Sequence, residues 1–308
     1  MRFLRLSLIC AATISAVLSP LPVLADPVTA TIPDKALDAL LREILKRKAI
    51  EKETIEVADL QRIHFLNGRG RGIKDLTGLE HCTKLAEVNL SKNEITSLAP
   101  LAACVEIQSL DLSSNRISGI NPLATLEKLQ YLNLENNAIA EIDAVEHMKK
   151  LSSLYLNNNQ IKSVAALKDL PRLHSLYLAK NQVVDIKEME KLAQLGSLDL
   201  RNNQIVDVTP LKALTRLRWT FLSGNRIVDI AALAEMAKAD ADRHFAPYWR
   251  LYLEDNPLNA DAEAHIETLK LSGVRVKMQT VSQLPETEPT KDTTEKTGAE
   301  SGPVSVDQ

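Results

Sequence analysis

The feature that most constrains this chain is a period. Asparagine recurs at Asn93, Asn115, Asn137, Asn159, Asn181, Asn203 and Asn225, always 22 residues apart, and Asn256 repeats the context after a step of 31. The same apolar positions return around each asparagine. In residues 151–170, LSSLYLNNNQIKSVAALKDL, the segment Leu154-Tyr155-Leu156 has the in-out-in alternation of a short strand. Asn159 follows, and Ile161, Val164, Leu167 and Leu170 supply a second apolar edge after the turn. One such unit cannot bury its apolar edges by itself, whereas a stack of them encloses a continuous core. The chain is therefore expected to wind into a solenoid, with its strands side by side in one parallel sheet.

The string L-x-x-L-x-L-x-x-N is the signature of a leucine-rich repeat. The fold class it implies is an α/β solenoid, a right-handed leucine-rich repeat arc with a parallel sheet on the concave face. Turns of 22 residues leave no room for full helices, so 3₁₀ or extended segments are expected on the convex side, where Pro100, Pro122 and Pro210 also limit helix. Each asparagine amide carries both donors and an acceptor, so the eight asparagines are expected to form a structural ladder that satisfies buried backbone groups. Residues 26–62 are expected to cap the start: residues 33–48 read as an amphipathic helix with Leu37, Leu40, Leu41, Ile44 and Leu45 on one stripe. The repeats run over 63–258, about nine of them. The first is degenerate, with Gly68 at a core leucine position and Arg71 at the asparagine position. The last is degenerate too: Thr220 fills a core leucine position, nine extra residues follow Asn225, and Tyr248 opens the final partial turn. Within that insertion, residues 231–243 are alanine-rich and suit a true helix. Residues 259–279 read as a helix and strand closing the far end, and 280–308 as a disordered tail rich in Thr, Glu and Pro.

Composition bounds the compartment and the partners. Residues 1–25 have the form of a secretory signal: Arg2 and Arg5, an apolar run over 6–18, and Val23-Leu24-Ala25 before Asp26. Export to the periplasm or beyond is expected, with cleavage after Ala25 and no membrane-spanning segment in the mature chain. Removal of the two signal arginines takes the formal charge from −3 to −5. Basic residues are scattered without a stripe, so no nucleic-acid partner is expected. Cys82 and Cys104 lie 22 apart at one core position of adjacent turns. Two readings stay open there: a disulfide between stacked turns, which an oxidising compartment permits, or two buried thiols standing in for leucines.

The chain resembles the bacterial internalin-like proteins built on 22-residue repeats. The resemblance is carried by IPDKALDALLREIL at the start, GRGIKDLTGLEHCTKL as edge repeat, LAEVNLSKNEITSLAPL and its copies, and LEDNPLN…IETLKLSGVRV at the end, covering roughly residues 32–278. It implies a secreted adhesion module that binds a partner protein through the concave face. It transfers no catalytic residue, and neither the immunoglobulin-like domain nor the wall anchor of internalins is expected after the end cap.

The outward positions of each strand are where a partner would bind. Tyr131 and Trp219 occupy the third position of their repeats; Tyr155, Tyr177, Phe221 and Tyr252 occupy the fifth, with Asp199, Arg201 and Arg250 among them. Tyr, Trp and Arg are the residue types enriched at interface hot spots. These nine are the candidate binding residues, all expected to face solvent, although Thr220 places Trp219 and Phe221 beside a local irregularity. His64, His81, His147, His174, His244 and His265 fall in separate turns without metal spacing, so no metal, cofactor or enzymatic activity is expected. The reading is a monomeric, exported, protein-binding solenoid. Two alternatives remain: a structural envelope protein whose aromatics bind carbohydrate, and an intracellular regulatory subunit of the phosphatase-binding kind.

Overall fold

A computed structural model describes residues 28–278. The expected signal and the acidic tail lie outside the described residues. The regular turns form a ten-stranded parallel sheet in strict sequence order. Its strands are β1 Phe65–Asn67, β2 Glu87–Asn89, β3 Ser109–Asp111, β4 Tyr131–Asn133, β5 Ser153–Tyr155, β6 Ser175–Tyr177, β7 Ser197–Asp199, β8 Trp219–Phe221, β9 Arg250–Tyr252 and β10 Arg275–Lys277. Each strand is only three residues long, and its middle residue points into the core: Leu66, Val88, Leu110, Leu132, Leu154, Leu176, Leu198, Thr220 and Leu251 are all buried. On the opposite side the turns close with short 3₁₀ helices such as Ala99–Ala103, Asn121–Thr125 and Thr209–Ala213, each with proline at its start. Proline's fixed φ suits that position, and its missing N–H costs nothing there.

The asparagine ladder is what lets so much backbone lie indoors. Asn159 is representative: its Oδ1 accepts from Ile139 N of the previous turn at 3.0 Å, and its Nδ2 donates to Leu134 O and Leu156 O, both at 3.0 Å. One amide thus ties two turns together. The pattern runs from Asn93, which reaches back to Ile73 N, to Asn225 on Ile205 N. It survives the insertion, since Asn256 Oδ1 accepts from Ile227 N at 3.2 Å.

Both ends are closed. Helix α1, Lys35–Arg47, presses Leu37, Leu40, Leu41 and Leu45 onto the first turn. Its N-cap Asp34 is shared: Oδ1 accepts from Ala36 N and Leu37 N, while Oδ2 accepts from Lys74 N and Asp75 N of the first repeat. The degenerate first repeat follows from this closure. A Cβ on Gly68 would sit 2.7 Å from Leu40 Cδ2, so the cap helix supplies the leucine that the repeat lacks. Arg71, standing where an asparagine is expected, pairs with Glu43 of α1 at 2.9 Å. A four-residue helix, α2 Val57–Leu60, follows. At the far end α3, Ala231–Lys238, is the helix expected within the insertion, and α4, Ala262–Leu271, leads into β10.

One expectation changes. Tyr248, assigned to open the final turn, is exposed, and Trp249 occupies the core instead. A 3₁₀ helix, Ala246–Tyr248, sets the chain one residue out of step there. The indole explains the odd threonine: Trp249 Nε1 donates to Thr220 Oγ1 at 2.8 Å, so Thr220 is a buried acceptor for a ring that leucine would leave unsatisfied. Of the two readings open for Cys82 and Cys104, the structure has the free, buried thiols. Cys104 Sγ turns to Leu79 O at 3.2 Å, and burial raises its pKa to about 12 and that of Cys82 further. Both therefore behave as small apolar core residues.

Candidate recognition surface

Strict in-register pairing turns the outward residues into columns. Tyr131, Ser153, Ser175, Ser197, Trp219, Arg250 and Arg275 follow one another in the first column. Asn133, Tyr155, Tyr177, Asp199, Phe221, Tyr252 and Lys277 form the second. The neighbouring strands bring the side chains of each column within contact of one another.

In the centre, over β4–β6, the columns hold a tyrosine ladder. The rings of Tyr131 and Tyr155 lie 5.3 Å apart at 44°, and those of Tyr155 and Tyr177 stack at 4.8 Å and 5°. All three are half-buried by one another. Ser153, Ser175 and Ser197 keep the adjoining column low, so a serine strip runs from Tyr131 to Trp219 beside the ladder. With strands about 4.8 Å apart, that strip is about 19 Å long. Burial, reinforced by the Asp111 carboxylate, pushes the Tyr131 phenol up to about 12; burial raises Tyr155 and Tyr177 as well. The ladder thus presents neutral hydroxyls. Beside it, burial raises Glu135 above the ordinary carboxylate range against the opposing hydrogen bond from Asn157.

Toward the C-terminus, over β7–β10, the composition changes. Asp199 is fully buried, and Arg201 grips it bidentately through Nε to Oδ1 at 3.0 Å and Nη2 to Oδ2 at 2.6 Å. The guanidinium of Arg201 lies 5.1 Å from the centre of the Phe221 ring. Phe221 stacks on Tyr252 at 4.5 Å, and Trp219 lies 6.4 Å from Phe221. Arg250 covers Trp219 at 4.1 Å. Despite Thr220, both Trp219 and Phe221 keep their outward register, paired with Arg250 and Tyr252. Two candidates are withdrawn from the surface: Asp199 is 0% and Tyr252 8% exposed, so neither is the solvent-facing residue its repeat position implies. Each is covered by a neighbour's side chain, Asp199 by Arg201 and Tyr252 by the stack with Phe221. The neighbouring Glu254 is also buried and accepts from Ser223 Oγ. Repeat position gives the direction of a side chain and says nothing of what lies over it. Among the described residues no group of three or more His, Cys, Asp or Glu is placed to hold a metal.

Residues 88–200 match the leucine-rich repeat family. No curated protein matches the chain. Among solved structures, internalin C2 of Listeria monocytogenes aligns over 69% of this chain and 94% of its own, at 29% identity and a TM-score of 0.64. A leucine-rich repeat protein of Leptospira interrogans aligns over 71% of this chain and 62% of its own, at 20% identity and a TM-score of 0.60. The plant peptide hormone receptor RGFR1, in complex with RGF2, aligns over 66% of this chain and 34% of its own, at 20% identity and 0.54. With ten parallel strands, 3₁₀ turns and the asparagine ladder, the molecule is a leucine-rich repeat solenoid. Within that class the chain is similar to the internalins, with internalin C2 at 29% identity. No described helix is long and apolar enough to cross a membrane.

Proposed function

We propose that this is an exported, non-enzymatic recognition protein that binds a partner protein across its concave face, at the tyrosine ladder and the serine strip beside it. One observation carries the reading: Tyr131, Tyr155 and Tyr177 form a contiguous aromatic surface on outward positions, while the core below is complete in leucine, isoleucine and valine. Packing does not demand those rings, whereas rigid aromatics with a polar tip make anchors of low entropic cost. The serine strip accommodates about six residues of an extended polypeptide, at about 3.3 Å each. The recognition role of the repeat architecture, and the peptide complex of the plant receptor, point the same way. Export rests on the signal-like residues 1–25, and a monomer is the form in which the concave face stays open.

A carbohydrate partner fits the geometry less well. Sugars dock onto exposed ring faces, and here the faces are taken: Tyr155 and Tyr177 stack on each other, Phe221 on Tyr252, and Arg250 covers Trp219. What the ladder offers is ring edges and hydroxyls.

The test compares envelope proteins retained by the immobilised mature chain with those retained by its Tyr155→Ala/Tyr177→Ala variant. A protein held by the first and lost from the second, at equal melting temperature, supports the reading. Retention by both refutes the concave centre as the site; a glycan-array signal abolished by the same variant would move the assignment to carbohydrate.

A further inference from the structure

One motif on this face is complete, and a second copy of it is half built. Arg201 is the complete one: its guanidinium plane rests on the Phe221 ring, and its edge holds the Asp199 carboxylate with two hydrogen bonds. Arg250, next along the sheet, repeats the first half, with its Cζ 4.1 Å from the Trp219 centroid. No carboxylate completes it, since Arg250 takes part in no ion pair among the described residues. A guanidinium stacked on an aromatic keeps its planar N–H edge free and its side chain ordered, which is the state in which bidentate capture of a carboxylate costs least.

The surroundings extend the same chemistry. Arg275 and Lys277 continue the two columns on β10, both exposed. Arg218, one residue before Trp219, rests its guanidinium 5.2 Å from the Tyr248 ring; among the described residues that guanidinium donates to the His244 carbonyl alone, and its enclosed Nη1 has no acceptor. The acids nearby are spent or turned away. Asp199 is held by Arg201 and Glu254 by Ser223, both buried, while Asp255 lies past β9 on the turn. The last three strands therefore present aromatic and cationic groups outward and no carboxylate.

We infer that this C-terminal end of the concave face is a docking site for an acidic, extended segment of the partner protein, with Arg250 on Trp219 as the carboxylate fork and Arg275 and Lys277 as flanking cations. The inference rests on the reading of the concave face as a protein-binding surface and names the chemistry of one end of it. Charge complementarity selects the occupant, because an acidic strand laid across β8–β10 supplies the carboxylate that Asp199 supplies in the complete motif.

The experiment is a fluorescence-anisotropy titration of the full chain with a short fluorescein-labelled peptide of alternating glutamate and serine, beside its glutamine counterpart. The acidic peptide is expected to bind, more weakly as salt rises, and the glutamine peptide is not. Arg250→Gln is expected to weaken binding about tenfold, and Arg250→Lys, which keeps charge but loses the planar fork, to restore only part of it. If Arg250→Gln lowers the melting temperature, Arg275→Gln/Lys277→Gln, both at exposed positions, carries the test. Equal binding of the two peptides, or undiminished binding to the arginine and lysine variants, would overturn the inference. Residues 279–308 carry six acidic residues against two lysines. Binding that appears only when those acids are replaced by glutamine in the full chain would assign the site to the chain's own segment and overturn the partner assignment. Tyr155→Ala/Tyr177→Ala is expected to leave peptide binding intact. Loss of peptide binding with tyrosine-dependent capture preserved removes this inference alone, and the opposite pattern removes the recognition reading alone.

Discussion

The tyrosine ladder over β4–β6 and the cluster over β7–β10 are both aromatic surfaces on the same sheet, yet they are held in different ways. The ladder rides on turns of uniform length, each fastened to the next by an asparagine amide, and its outward residues make few demands on the scaffold. The C-terminal cluster starts on turns of the same length and runs on to the insertion that follows Asn225. There outward residues are structural: Arg201 neutralises a buried Asp199 and Tyr252 is covered by Phe221, over an inward Thr220 that bonds Trp249. Where the outward neighbours are serine and tyrosine, a solenoid's outward positions are free to be chosen for a partner. Where a carboxylate is buried among them, some outward side chains are drawn into holding the fold.

The sharpest test of that contrast is Arg201→Met. Removing the guanidinium leaves Asp199 buried without a partner, which costs about 3–5 kcal/mol in comparable buried pairs. Denaturant unfolding measures it. A loss no larger than that of a surface residue would show that the C-terminal cluster is held no more tightly than the ladder. Asn159→Ala, in the regular centre, is expected to destabilise by about 1–3 kcal/mol, because backbone groups of two turns lose their partner. Unchanged unfolding would mean that the ladder does not fasten the turns. Thr220→Val at the irregular end is expected to cost about the same by orphaning Trp249 Nε1, and part of that loss should return in the double variant with Trp249→Phe. Additive losses in the two variants would break the pairing.

A smaller effect is set by pH. Burial raises Glu135 above its ordinary 4.5, so the folded chain holds that proton more tightly than the unfolded chain. The sign follows: the site's contribution to stability falls as pH rises from the unfolded value through the raised folded value. Glu135→Gln, which keeps an acceptor for Asn157, should match the native chain at acid pH and equal or exceed it at neutral pH. A melting-temperature series in pH reads this, and a variant less stable at neutral pH would contradict it. Smallest of all, ending the chain after Thr280 is expected to leave the melting temperature nearly unchanged, and a large drop would show that the final segment packs on the fold.

The fold was legible because its cause is periodic. Leucine spacing and the recurring asparagine dictate strand, turn and stacking without reference to distant residues, and even the α3 helix could be read from alanines 231–241 in an over-long turn. What escaped was contact between different elements. Nothing local says that Leu40 fills the space over Gly68, or that Trp249 rather than Tyr248 turns inward to meet Thr220. The one available signal was the threonine itself, a polar residue at a leucine position that called for a buried donor. The candidate surface was legible in direction, because strand alternation places Tyr155 and Tyr177 outward. It was not legible in exposure, because the coverings of Asp199 and Tyr252 depend on which neighbouring side chain folds over them.

The most direct measurement of the central claim is the affinity of Tyr155→Ala/Tyr177→Ala for the captured partner protein, taken together with its melting temperature. The two rings lie outside the core, so the fold should be kept. Truncating a central aromatic anchor commonly costs about 2 kcal/mol or more, about 30-fold in affinity. A loss of that size at an unchanged melting temperature is the predicted result. Binding of native strength by the double variant would contradict it and would move the search for the contact to the convex insertion at residues 236–250.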